Sequence, residues 1–248
     1  MNTFLFPGVV SLALFSIPLP SAAQDSTPRA RPQVSNERET RVISGWIVHV
    51  SRSLLNDDAK AIARALELLK AQLDGIIREV PAAAVAELRK VSLWISPEYA
   101  HTPPRAEYHP DAGWLRENGR DQAMAKGVEF TNVRIFEAEV RRMPVFVLHE
   151  LAHSYHDRVL GFDEPRIIAA YEKAKASGKY ERVERQDSEG RRRFDRAYAM
   201  TNHKEYFAEC TEAFFGRNDF YPFTKDELKQ HDPDMFALLE ILWNQVPR

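Results

Sequence analysis

The run Val147-Leu148-His149-Glu150-Leu151-Ala152-His153 places the tightest constraint on how this chain can fold. Phe146, Val147, Leu148, Leu151 and Ala152 cover much of a helical circumference, as in a helix buried in a core. Residues four apart lie one above the other on a helix. His149 and His153 can therefore direct two imidazoles at one metal ion, with Glu150 beside them. Pro144 suits a first helical turn, where its missing N–H costs nothing, and Gly161 suits the end. The spacing predicts a helix from about Met143 to Val159. Two histidines do not complete a metal site, so the fold must bring a third ligand from elsewhere.

The residues just after the first motif narrow the choice. A metzincin carries H-E-x-x-H-x-x-G-x-x-H, but here His156 stands where the glycine belongs and Val159 where the third histidine belongs. The inverted H-x-x-E-H order is absent too. There remains a glutamate from a later helix, the gluzincin arrangement, and the candidate segment is Asn202 to Glu209. Glu205 and Glu209 are four apart and share a helix face. One could bind zinc while the other accepts the outer N–H of a ligand histidine, which fixes its tautomer. Tyr206, Phe207, Phe214 and Phe215 flank them, and two carboxylates among such neighbours are costly to bury without a cation. Asn202-x-x-Glu205 is also a helix-capping pattern, and Glu209 could instead face solvent.

The segment Tyr198-Ala-Met-Thr201-Asn202-His-Lys-Glu205-Tyr-Phe207-Ala208-Glu209 resembles the active-site segment of the anthrax lethal factor catalytic domain. The related secreted bacterial Pro-Pro endopeptidases share its glutamate pair and upstream tyrosine. The wider stretches LHELAHSYHDR and TNHKEYFAECTEAFFGRNDFYPF are similar to a group of bacterial secreted metallopeptidases. The resemblance covers the two motif helices and their flanks. It implies a gluzincin-type zinc peptidase with Glu205 as third ligand and Glu209 behind a ligand histidine. It also implies Tyr198 as the side chain that stabilises the oxyanion. Cleavage beside proline does not carry over.

Other residues near the motifs carry weaker signals. His156 can share the face of His149 and His153 but more often packs near a helix end. Asp157 could orient a histidine, Glu212 could reach the metal surroundings, and His203 lies off the Glu205/Glu209 face. Cys210 reads as a buried thiol, and Tyr108 and Trp114 as packing or cleft-lining residues. As the only cysteine, Cys210 can form no intrachain disulfide.

The expected class is α+β: a zincin-like single domain with a small mixed sheet packed on helices, a motif helix, and a second helix supplying a glutamate. Phe4–Pro20 is uncharged and mostly apolar and precedes Ser21-Ala22-Ala23, so residues 1–23 read as a signal peptide. Residues 24–41, rich in Pro, Ser, Arg and Glu, read as a disordered linker before a domain at 42–248. Val42–Val50, Val91–Ile95 and Gly127–Phe136 read as strands, and the last of these could border the cleft or be an ordinary buried strand. Asn56 or Asp57 opens a long helix that Pro81 stops, and the charged stretch around Arg191-Arg192-Arg193 reads as a solvated hairpin.

The 44% hydrophobic and 28% charged composition is that of an ordinary globule, and a net charge of −2 implies no nucleic-acid partner. The expected function is a secreted or periplasmic zinc metallopeptidase. It acts on a peptide or protein substrate, with one Zn2+ per chain and no stable membrane association after signal cleavage. Glu150 would serve as general base toward a zinc-activated water. The alternatives are a non-catalytic zinc-binding domain and a zinc amidase acting on cell-wall peptides. A purely structural site has no need of Glu150. Replacing Glu205 with alanine is expected to remove most of the zinc from the purified protein; full occupancy by metal analysis would exclude this glutamate as a ligand.

Overall fold

The computed structural model describes residues 37–245. The signal segment 1–23 and residues 24–36 of the expected linker lie outside the described residues. Arg38–Arg41, expected to end that linker, are strand instead. They belong to β1 (Arg38–Ile43), which turns at Ser44-Gly45 into β2 (Trp46–Ser51). Both turn residues have positive φ (50° and 92°), as a two-residue hairpin turn requires. β1 is an edge strand whose polar residues leave no continuous apolar period, which is why its first half reads as linker.

A short helix α1 (Arg52–Asp57) leads into α2 (Ala59–Glu79), which buries Ile62, Leu66, Leu69, Leu73 and Ile76. The residue at its start is Asp58, one beyond the expected caps, and its carboxylate binds Arg134 at 2.6 Å instead of a helix N–H. Pro81 separates α2 from α3 (Ala82–Leu88). Then come β3 (Leu93–Ile95), β4 (Ala106–Tyr108), α4 (Ala112–Glu117), β5 (Val128–Phe130) and α5 (Phe136–Arg142). The motif helix is α6 (Phe146–Tyr155), continued by a π-helical turn over His156–Leu160. After α7 (Pro165–Ser177) the chain forms the hairpin β6 (Val183–Gln186) and β7 (Arg192–Asp195). It ends with α8 (His203–Phe215), α9 (Lys225–His231) and α10 (Pro233–Leu242).

The class is α+β, as expected. The five-stranded sheet has the order β1-β2-β3-β5-β4, with β2, β3 and β5 parallel and both edges antiparallel. Cross-strand register sorts its residues into two faces. Val48, Leu93, Val128 and Tyr108 form one row, and Val50, Ile95, Phe130 and Ala106 the next, on the face that joins the main core. His49, Trp94, Glu129 and Glu107 form the row on the other face. There Trp94 packs with Leu115 and Met124 from residues 98–126, an excursion between β3 and β5 that includes β4. The buried Glu129 carboxylate accepts bonds from Tyr99 Oη (2.7 Å), His109 Nε2 (3.0 Å) and Arg120 Nη1 (3.3 Å). Burial alone would raise its pKa, but the His109, Ser96 and Tyr99 hydrogen bonds hold it below the usual carboxylate range.

The strand expected over Gly127–Phe136 is only Val128–Phe130 and is buried, so the strand at the cleft is β4. The arginine run does lie on a solvated hairpin: Arg191, Arg192 and Arg193 pair with Asp187, Glu184 and Asp195. Among the described residues no helix is long and apolar enough to cross a membrane.

Gly216 closes α8 where the backbone meets Val145 at the start of α6: a Cβ there would lie 2.6 Å from Val145 Cγ1. Gly216→Ala is expected to cost about 1–3 kcal/mol by overpacking, read as a lower urea midpoint. An unchanged midpoint would mean that the two helix ends can part freely.

Candidate metal centre

Two helices with few exposed side chains build the site. α6 buries Phe146, Val147, Leu148, His149, Leu151 and Ala152. Its N-terminal residue Val145 offers no side-chain cap, and Gln72 of α2 supplies one by accepting the Val147 N–H at 3.1 Å. α8 starts at a true cap: Asn202 Oδ1 accepts the N–H groups of Lys204 (2.8 Å) and Glu205 (3.0 Å). The capping pattern in the sequence is thus real, but the Glu205 side chain is used elsewhere.

His149 Nε2, His153 Nε2 and Glu205 Oε2 form a nearly equilateral triangle with edges of 3.2, 3.2 and 3.3 Å. Donors held tetrahedrally at about 2.0–2.1 Å from one ion lie about 3.3–3.4 Å apart. The protons point to the same conclusion. Glu212 Oε1 lies 2.7 Å from His149 Nδ1, a bond that places the ring proton on Nδ1 and leaves Nε2 a lone pair. A lone pair directed at a second imidazole nitrogen and at a carboxylate oxygen is repulsive unless a cation sits among them. The donor set, two imidazoles and one carboxylate, suits zinc. Burial disfavours a charged His149, yet Glu205 and Glu212 draw its pKa well above the ordinary value, so these donors favour positive charge at Nε2, which either a proton or a metal ion supplies. The histidines conversely overcome burial and hold Glu205 well below the carboxylate range. Both shifts express the pairing of the two imidazoles with the Glu205 carboxylate.

The residue behind His149 is Glu212, whereas the expected one was Glu209. Glu209 Oε1 stays 3.9 Å from His149 Nδ1, and its other oxygen accepts from Asn218 Nδ2 at 3.0 Å. Glu212 lies seven residues after Glu205, two full turns, and so falls almost on the same line of α8. The ring of His149 spans those two turns. Periodicity of seven was the available signal. Burial raises the pKa of both Glu209 and Glu212; the Glu212 carboxylate adds to the rise at Glu209, and Asp219 adds to both. His149, Glu209 and Glu212 also cluster closely enough to resemble a second metal site. With Nδ1 donating to Glu212, this group is a hydrogen-bonded support for the first.

The triangle opens on a cleft of about 510 Å³ lined by Tyr108, His149, Glu150, His153, Tyr198 and Glu205, among others. Glu150 stands outside the triangle and its Oε2 accepts the Tyr108 N–H at 2.8 Å. Tyr198, 47% exposed, lines the same cleft. Partial burial and the nearby Glu205 raise its pKa, so it remains an O–H donor at neutral pH. Elsewhere on the cleft wall Asp219 binds Arg142 (3.2 Å) and Arg185 (3.1 Å), a contact the sequence did not announce.

The remaining candidates have structural places. His156 is fully buried among the rings of Phe162, Phe207 and His203. Asp157 accepts from Tyr108 and Lys126, not from a histidine. His203 Nε2 meets the Phe162 carbonyl at 2.9 Å, off the ligand face. Cys210 is buried, and Trp114 stacks on His109. Comparison with protein-family models, curated proteins and solved structures gives no match, so the chemistry of the site rests on its own geometry.

Glu212→Ala should weaken zinc binding about 10- to 100-fold in a competitive chelator titration, whereas Glu209→Gln should change it little. The reverse ranking would restore Glu209 as the supporting carboxylate. Burial pushes the His156 pKa from 6.5 down to about 3, so the folded ring stays neutral. Its contribution to stability is complete above pH 6.5 and is lost progressively as pH falls toward 3, where the unfolded ring binds a proton and the folded one does not. The urea midpoint of wild type should therefore drop more between pH 7 and 5 than that of His156→Phe; parallel slopes would disprove the buried neutral ring.

Proposed function

We propose that this protein is a zinc-dependent peptidase of the gluzincin type. The observation that carries the reading is the triangle of His149 Nε2, His153 Nε2 and Glu205 Oε2 at the floor of a cleft that also presents Glu150 and Tyr198. His149, His153 and Glu205 would hold a zinc ion, which would supply Lewis acidity toward a carbonyl and a bound water. Glu150, adjacent to His149 but outside the triangle, takes a proton from the attacking water and passes it to the leaving amine. The Tyr198 hydroxyl donates to the carbonyl oxygen as negative charge develops there; losing one such donor typically costs about 3 kcal/mol of barrier lowering. Glu212 holds the His149 ring in the tautomer that presents Nε2.

A site kept only for folding normally closes the fourth position with another protein ligand, whereas this one borders an open cleft. The lethal-factor-like segment Tyr198–Glu209 supports the same reading through the residues it places at the cleft, Tyr198 and Glu205. Export to the periplasm or the medium is supported by the N-terminal sequence pattern alone.

The test is a peptide-library digest with wild type and Glu150→Ala in parallel, with cell-wall peptides in the panel. Wild type should cleave, while Glu150→Ala should keep about one zinc per chain and lose turnover at least about 100-fold. Full activity in Glu150→Ala would remove this residue from the chemistry. Cleavage confined to cell-wall peptides would make the protein an amidase of that class.

A further inference from the structure

The geometry points to Tyr108 as the residue that positions Glu150 for proton transfer, an inference that rests on the hydrolase reading above. β4 is the outermost strand of its sheet on the cleft side. In an antiparallel pair, alternate residues turn their N–H and C=O toward the partner strand and away from it. The His109 N–H meets the Gly127 carbonyl (2.9 Å) and the Thr131 N–H meets the Arg105 carbonyl (2.9 Å), so residues 105 and 109 face inward. Tyr108 therefore turns its N–H outward, where Glu150 Oε2 accepts it at 2.8 Å.

The side chain of Tyr108 makes a second attachment to the same helical segment. It is 6% exposed, and its hydroxyl donates to Asp157 Oδ2 at 2.7 Å, an oxygen that Lys126 Nζ also reaches at 2.5 Å. Glu150 and Asp157 are seven residues apart, close to two helical turns. One residue of the strand is thus pinned twice along the segment that carries the metal ligands. The backbone attachment holds one oxygen of Glu150, while Oε1 has no hydrogen-bond partner among the described residues. An exposed glutamate samples many rotamers; this one is held at a fixed point beside His149. The buried bonds from Tyr99, His109 and Arg120 to Glu129 secure the stretch that carries β4 and so keep Tyr108 in place.

The contact can be read without any substrate. In protein labelled with ¹⁵N-tyrosine, the Tyr108 amide should exchange slowly with solvent, and Glu150→Ala should speed that exchange about 10- to 100-fold. Unchanged exchange in Glu150→Ala would overturn the proposal. In activity assays, Tyr108→Phe and Asp157→Ala should each lower kcat about tenfold with KM and zinc content unchanged. Combining the two should cost no more than Asp157→Ala alone, because both remove the Tyr108–Asp157 hydrogen bond. In the Glu150→Ala background, Tyr108→Phe should have no further effect on residual turnover. An equal further loss there would show a general structural role and overturn the positioning role. A wild type that cleaves nothing while the Tyr108 amide still depends on Glu150 would overturn the hydrolase reading and leave the contact standing.

Discussion

The structure turns on one buried ring. His149 lies between two turns of α8, its Nδ1 bonded to Glu212 and its Nε2 beside Glu205. An imidazole between two carboxylates in a nonpolar setting is stable only if every proton and lone pair has a partner. Glu212 fixes the proton, and the triangle of donors defines where a dication belongs. This contact sets the relation of α6 to α8, and the close approach of Gly216 to Val145 sets it again one turn further along, where α6 starts and α8 ends.

Around this ring the fold satisfies polar groups from several directions. Gln72 of α2 caps α6, Asn202 caps α8, and Arg142 and Arg185 neutralise Asp219 on the cleft wall. On the far face of the sheet Glu129 gathers Tyr99, His109 and Arg120. That buried carboxylate explains how an excursion interrupted by Pro103, Pro104 and Pro110 holds an ordered strand. Its hydrogen bonds hold the excursion against the sheet, and β4 is carried with it to the rim of the cleft. Cleft side chains placed on elements supported this way are held in one arrangement before any ligand arrives.

Much of the site could be read from the chain because helices repeat. His149 and His153 four apart, and Glu205 beginning a helix of buried aromatics, are local patterns, and spacing alone predicts that each pair shares a face. The same regularity marks the apolar stripe of α2. Glu209 and Glu212 show where regularity stops. Both lie on the side of α8 that faces α6, and packing against α6 decides which one meets Nδ1. Helical spacing offers both as candidates and leaves that choice open.

The sequence by itself therefore determined the ligand types, their helices and the chemistry such a set can support, because those depend on side-chain identity and helical period. Tertiary structure alone decided that Glu212 supports His149, that β4 borders the cleft, and that the Tyr108 N–H holds Glu150. Each of these is a contact between segments far apart in the chain. It depends on how surfaces pack, and in one case on a backbone N–H that every residue except proline possesses. A group present at nearly every position leaves no mark in the sequence; only its place in the folded molecule gives it a role.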